Sequence, residues 1–432
     1  MQEEFKNPIW ENKESPIEAA SYKTFFRVLP RNKRLSFFLL TLMMVFATSL
    51  ELLGIGLVLP IVGFISDYDR LVSNVYIANV IGYLGNPSED KIIIWALSIF
   101  VFVFFLKNVY IAFLTYLKER FVFEIKRELT MTLYSKYIKN SYSFHSSNNS
   151  SEIMRNLVSL PIEFERLLTV LISILSEILV LVGIFALFLV LEPIPSLIMV
   201  LILFSLSLIY YLFFKSRSYD WGIQRQFHQG KQFQSISESL GAVKDIKSLK
   251  KEDFFIDWVG RHVSKVGRVA LFEKILLAMP RLWLELCVVF SFAGLIVSMT
   301  FFSDETDLVI PTIAVFAFAA VRLIPSATIL LSGSQSIRIR SAPLSILDKE
   351  LKDARYQEPG IDEEVLSFKS ELKIQNLNFS YPGKGNIFRE LNLEIKKGEF
   401  VGIKGESGSG KSTLVDLILG FYSPDSGSIL ID

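Results

Sequence analysis

FVGIKGESGSGKSTLVDLILGFY, residues 400 to 422, sets a glycine-rich octet between a strand pattern and a helix pattern. Gly405, Glu406, Ser407, Gly408, Ser409, Gly410, Lys411 and Ser412 match G-x-x-x-x-G-K-[ST], and Thr413 follows in the first turn of the expected helix. Before the octet, EFVGIK predicts a strand over Glu399–Lys404, and after it STLVDLILGFY predicts a helix. Glycines allow successive backbone N–H groups to turn toward an anion, and the positive end of the helix adds to that field. At this spacing the Lys411 ammonium is expected to reach the β and γ phosphates of a nucleotide, and the Ser412 hydroxyl to ligate Mg²⁺. A glycine-rich turn that binds nothing has no need of a strand before it and a helix after it.

Upstream the chain changes character. Of its 432 residues, 51% are hydrophobic, more than soluble domains usually carry. Apolar runs at Leu35–Ile65, Ile92–Leu117, Leu167–Leu191, Ser196–Phe214, Leu282–Phe302 and Leu308–Leu331 are each long enough to cross a bilayer, which takes about 17–25 residues. They predict six spans. Read instead as the core of a large soluble protein, they would require several helices apolar on every face. The basic run RNKR (Arg31–Arg34) precedes the first span, whereas EPIP (192–195) and SDETD (303–307) contain no Lys or Arg, so the N-terminus is expected in the cytoplasm. The first 34 residues have no apolar signal-peptide core, which leaves insertion to the first span. Between spans one and two, Leu71, Val75, Ile77, Val80, Ile81 and Leu84 recur at helical spacing, compatible with a helix on the outer surface or with a plain loop.

The same patterns divide the chain. Residues 1–34 form a cytoplasmic tail in which SYKTFFRVLPRNKR reads as an interfacial elbow helix, and residues 35–340 form the six-span domain. The connections Lys118–Arg166 and Lys215–Arg281 are too long for turns and read as helices continuing out of the membrane, broken at SYSFHSSNNSSE and at SESLGAVKDIKSLKKED. A linker over 341–370 is marked by Pro343 and by Pro359-Gly360, and strand alternation in ELKIQNLNFSY and LNLEIKKGEFVGIKG follows over 371–432. The expected fold is an all-α six-helix membrane domain followed by the N-terminal part of an α/β P-loop domain. With 45 Lys+Arg against 44 Asp+Glu, no global basic field points to nucleic acid as a partner. Cys287 is the single cysteine, so the chain builds neither a disulfide framework nor a thiolate metal site.

These features together resemble the ATP-binding cassette (ABC) exporters, in half-transporters of which six spans precede the nucleotide-binding domain. The resemblance covers nearly the whole chain and is most specific from Leu372 to Asp432, including FSYPGKGNIFRELNLEIKKGEFVGIKGESGSGKSTLVDLILGFYSPDSGSILID. It implies ATP and Mg²⁺ as cofactors, Tyr381 stacking on the adenine, and a second half-transporter as partner, most simply another copy of the chain. It also implies a multi-pass protein of a bacterial cytoplasmic membrane with its nucleotide-binding domain inside. The family's Q-loop glutamine, LSGGQ signature, Walker B aspartate, catalytic glutamate and switch histidine fall beyond Asp432. No catalytic residue is therefore assigned, and these 432 residues by themselves are expected not to hydrolyse ATP.

Charges within spans are functional candidates, because burying them in hydrocarbon is costly. Arg322 lies 14 residues from Leu308, about 21 Å below the outer interface, where a cavity role and snorkelling both remain open. Lys107 and Arg281 lie nearer the cytoplasmic ends of their spans, and Arg281 can pair with Glu285 one turn on. Glu51 and Glu177 can meet cations or polar groups on neighbouring spans. Arg322, Arg281, Lys107 and Glu51 are the substrate-cavity candidates. ELLGIGLVLP, SESLGAVKDIKSL and AAVRLIPS look like flippases of the PglK type, implying a lipid-linked oligosaccharide whose pyrophosphate meets cavity cations. Alternatives within the fold are lipid A, drug or peptide export. An alternative of another class is a truncated regulatory membrane subunit that does not hydrolyse ATP.

Overall fold

The computed structural model describes residues 22–57, 88–191, 193–302, 309–353, 368–381 and 385–432. The candidate surface helix over 71–84 and the SDETD loop lie outside them. The chain divides into two compact units, 1–131 with 155–351 and 132–154 with 352–432.

The first unit begins at α1 (Tyr22–Val28), where the elbow helix was expected. Phe25, Val28 and Leu29 are buried while Phe26 is exposed, the pattern of an amphipathic segment. A 3-10 turn at Arg31–Lys33 leads into α2 (Arg34–Gly56). The remaining long helices are α3 (Glu89–Lys139), α5 (Ser150–Leu191), α6 (Pro193–Gly241), α8 (Glu252–Phe302) and α9 (Val309–Asp353). At 51 residues α3 is about 77 Å long, far more than a hydrocarbon core of about 30 Å requires. The helix therefore runs on well past the apolar stretch Ile92–Leu117. Among the described residues, Arg31–Gly56, Asp90–Lys139 and Ser150–Leu187 are long and apolar enough to span a membrane. The short helix α7 (Val243–Leu249) interrupts the second long connection and closes on Lys250 in the left-handed region.

Apolar clusters and close approaches join the helices. Ile55 of α2, Val180 and Ile184 of α5 and Leu323 of α9 form one buried cluster, and Tyr210, Leu284 and Leu331 join α6, α8 and α9 in another. Between α5 and α9 the Ser326 hydroxyl donates to Glu177 Oε2 at 2.6 Å, satisfying a charge in the third predicted span. Gly222 permits a close approach: a Cβ there would overlap the Ile339 carbonyl of α9.

The linker expected from 341 does not begin there, because α9 continues through Pro343 to Asp353. A mid-helix proline costs about 3 kcal/mol. Leu344 and Leu347 offset it by being buried, at about 1.5–3 kcal/mol each, and Arg27 holds Asp348 at 3.0 Å.

The second unit contains α4 (Tyr142–Ser147), the strands β1 (Glu371–Ser380), β2 (Asn386–Lys396) and β3 (Ser426–Ile431), and α10 (Lys411–Ile418). Ser141 caps α4 by accepting the Phe144 N–H, and the Asn149 side chain accepts the Ser151 N–H where α5 starts, which resolves the Ser/Asn-rich break. The sheet order is β2-β1-β3, antiparallel throughout, with Leu372 opposite Ile395 on one side and Ile431 on the other. Ile374, Leu377 and Phe379 bury against Leu414 and Leu417 of α10.

EFVGIK is a correction to the sequence reading. No strand forms over 399–404, and Phe400, Val401 and Ile403 are exposed. A strand exists only through hydrogen bonds to a neighbour, and among the described residues none is placed beside this segment.

Candidate phosphate-binding site

The site is built on the turn between the extended segment ending at Lys404 and the N-terminus of α10. Gly408 (φ +84°) and Gly410 (φ +91°) take left-handed conformations closed to most side chains. At Gly410 there is no space either: a Cβ would come within 2.6 Å of Ile387 Cγ2 and 3.0 Å of Phe388 Cζ. The loop is pinned by the Ser409 N–H donating to the Glu406 carbonyl at 3.2 Å. Lys411 folds back over it, its ammonium donating to the carbonyls of Gly405 (3.0 Å) and Glu406 (2.6 Å). That places a cation against the loop backbone, next to a helix start whose first N–H groups lack intrahelical acceptors.

Gly405, Glu406, Ser407, Gly408 and Ser409 are exposed, as is Ser412 in the first turn of α10. Thr413 faces the other way, buried, its Oγ1 3.2 Å from the Tyr381 hydroxyl. Tyr381, expected to stack on a base, stands just past β1 and meets Phe379 and Tyr422 edge to face at 5.2 and 5.3 Å. The arrangement suits a triphosphate with its metal. Lys411 and the loop amides would hold the phosphates, and Ser412 would offer a hydroxyl to Mg²⁺.

Two adjacent aromatics went unread as site residues. Just past the end of α10 stands Gly420 at φ +75°, the Phe421 N–H donating to Asp416 O (2.9 Å) and the Gly420 N–H to Leu417 O (3.1 Å), a Schellman closure. Phe421 then stacks on Tyr142 of α4 at 4.9 Å, and the Tyr422 hydroxyl donates to Ser146 Oγ at 2.9 Å. The signal available was GFY, an aromatic pair directly after a helix-terminating glycine.

In the first unit, a buried ionic network was also missed. Glu163 of α5 binds Arg166 (2.9 Å), Arg225 of α6 (3.1 Å) and Arg340 of α9 (3.5 Å), while Glu273 of α8 binds Arg225 (2.7 Å) and Arg340 (3.6 Å). Burial holds the Arg340 guanidinium below its ordinary value, and the two carboxylates oppose only part of that shift.

The four cavity candidates are placed less alike than the sequence suggests. Lys107 holds its ammonium 4.2 Å from the centre of the Phe104 ring on its own helix. Arg281 is exposed and paired with Glu285 at 2.9 Å, also on its own helix. Glu51 is half-buried on α2, and Arg322 lies in α9 one turn before Ser326, its side chain outside the described residues.

Comparison with known families gives two matches. The profile described as ABC transporter transmembrane region matches residues 37–323, and the one described as ABC transporter matches residues 388–432. Over 91 residues, 21% of this chain, it is 46% identical to a probable ABC transporter ATP-binding/permease protein of Haemophilus influenzae, covering 15% of that protein. Over 117 residues, 26% of this chain, it is 34% identical to ABC transporter B family member 21 of Arabidopsis thaliana, covering 9% of it. A leukotoxin translocation ATP-binding protein of Mannheimia glucosida is 51% identical over 63 residues, 14% of this chain and 9% of that protein. The matched part of the chain thus spans less than a sixth of the length of these relatives.

Proposed function

The chain belongs to the ABC transporter family, and on that premise we propose that it is a half-transporter of an ATP-driven exporter or flippase moving a lipid-linked glycan across a bacterial cytoplasmic membrane. The observation that carries the nucleotide part is the loop at 405–413, where the Lys411 ammonium, two left-handed glycines and a helix start come together within one turn. Magnesium-bound ATP supplies the free energy of transport when held there. Lys411 and the loop amides bind its phosphates, Ser412 and Thr413 begin the helix beneath them, and Tyr381 offers a ring to the base. A second half-transporter, most simply another copy of this chain, completes the translocation path.

The substrate class rests on intramembrane cations near the cytoplasmic side. Arg322, Arg281 and Lys107 suit an anionic pyrophosphate head group, since a guanidinium binds phosphate oxygens in bidentate fashion. Export of a polypeptide is the second reading, favoured by the likeness to a leukotoxin translocation protein.

The test is ATP-dependent flipping of a fluorescent lipid-pyrophosphate oligosaccharide in proteoliposomes holding the full-length protein. Flipping that disappears in Lys411→Ala and falls in Arg322→Ala supports the proposal. ATP turnover without lipid movement removes the glycan substrate and leaves lipid A, drug or peptide export.

A further inference from the structure

Tyr422 lies between the candidate base platform and α4. On one side its ring meets Tyr381 at 5.3 Å with the planes at 85°, and the Tyr381 hydroxyl lies 3.2 Å from Thr413 Oγ1, next in sequence to the candidate magnesium ligand Ser412. On the other side the Tyr422 hydroxyl donates to Ser146 Oγ at 2.9 Å, and its ring takes an edge contact from Tyr142 at 5.5 Å. The position of α4 is itself determined. Phe144 stacks on Tyr137 at 6.1 Å, and His145 Nε2 lies 2.7 Å from the Tyr137 carbonyl, tying α4 to the end of α3. Phe379 packs on both tyrosines, at 5.2 Å from Tyr381 and 5.6 Å from Tyr422, so neither ring can swing without displacing a core side chain.

We infer that Tyr422 is a positioning residue that fixes the Tyr381 ring for the nucleotide base, so that affinity for adenine nucleotides depends on how α4 is seated. The inference rests on the nucleotide reading of the 405–413 loop. Edge-to-face aromatic pairs have preferred geometry, so the seat that α4 gives Tyr422 is passed to Tyr381 as an orientation. Linkage makes the effect reciprocal: a bound base that holds Tyr381 also holds Tyr422 and, through Ser146 and Tyr142, α4.

The base and the phosphates separate this role from general packing. A residue that orients Tyr381 alters binding of ATP and leaves binding of inorganic triphosphate unchanged. The experiment displaces a fluorescent ATP analogue from the purified full-length protein with ATP or with inorganic triphosphate. It compares the wild type with Tyr422→Leu, Tyr422→Phe, Ser146→Ala, Tyr142→Leu and Lys411→Ala. Tyr422→Leu and Tyr142→Leu are expected to weaken ATP by roughly 3- to 10-fold with triphosphate unchanged. Tyr422→Phe and Ser146→Ala, which keep every ring, are expected to show a smaller loss of the same selectivity. Ser146 is exposed, so its variant stays folded if Tyr422→Leu does not. Equal losses for ATP and triphosphate would make Tyr422 a packing residue and overturn the inference, as would wild-type affinities throughout. A wild type that binds neither ligand better than Lys411→Ala would bring down the nucleotide reading itself, a result distinct from both.

Discussion

Glu163 and Arg340 face each other from α5 and α9, carboxylate 3.5 Å from guanidinium, with each side chain more than nine-tenths hidden from solvent. Ions this deep must be paid for in lost hydration, and only mutual pairing recovers it. Arg225 and Glu273 extend the pairing, so helices α5, α6, α8 and α9 are held by four charges that depend on one another, with Arg166 a further partner of Glu163 on α5.

Removing one member leaves the others uncompensated. Glu163→Gln is expected to destabilise the fold by about 3–5 kcal/mol, because Arg340 and Arg225 stay buried with half their counter-charge gone. Arg281→Gln, whose side chain is exposed beside Glu285, is expected to change stability by less than about 1 kcal/mol. Thermal unfolding in detergent compares the two, and equal midpoints would show that the network contributes nothing.

Helix packing predicts a contrast between two glycines. Gly222→Ala pushes a methyl group into the Ile339 carbonyl, a backbone atom that cannot rotate away, and should cost about 1–3 kcal/mol. Gly260→Ala on α8 meets nothing within 4 Å and should stabilise by about 0.5–1 kcal/mol through helix propensity. The same unfolding measurement reads both signs.

Acidity should loosen the α6–α8 pair. His228 and His262 lie with ring centres 6.1 Å apart, and burial, followed by the charge of Lys265, holds both below the usual imidazole range. Lys231 and Arg261 add to the effect at His262, so every charge named around the pair is positive. Because the folded values are depressed, the unfolded chain binds more protons as pH drops. Stability is full above the unfolded value of about 6.5 and is lost as pH falls through the lower folded values. Midpoints recorded from pH 7.5 to 5 should fall in the wild type and fall less in the His228→Gln, His262→Gln double variant. Parallel curves would reject the assignment.

The phosphate loop was legible because its chemistry is local: G-x-x-x-x-G-K-S fixes backbone shape and charge within eight residues. Long helices were legible because their apolar runs exceed what a soluble core needs, and the break at Ser141 because Ser and Asn side chains cap helices. EFVGIK misled because alternation describes the faces of a strand but not the partner that makes it one. The end of α9 misled because Pro343 was weighed without Leu347 and Asp348, whose packing lies far off in sequence. Glu163, Arg225, Glu273 and Arg340 carried no local sign, since charges on a helical extension look solvated until the neighbouring helices are placed.

The most direct measurement is equilibrium binding of a fluorescent ATP analogue, with Mg²⁺, to the purified protein and to Lys411→Ala. Saturable binding that weakens at least about tenfold in the variant is the expected result, because the ammonium makes charge-assisted contacts to the phosphates. Equal binding by the two proteins would contradict the nucleotide site on which the transporter reading stands.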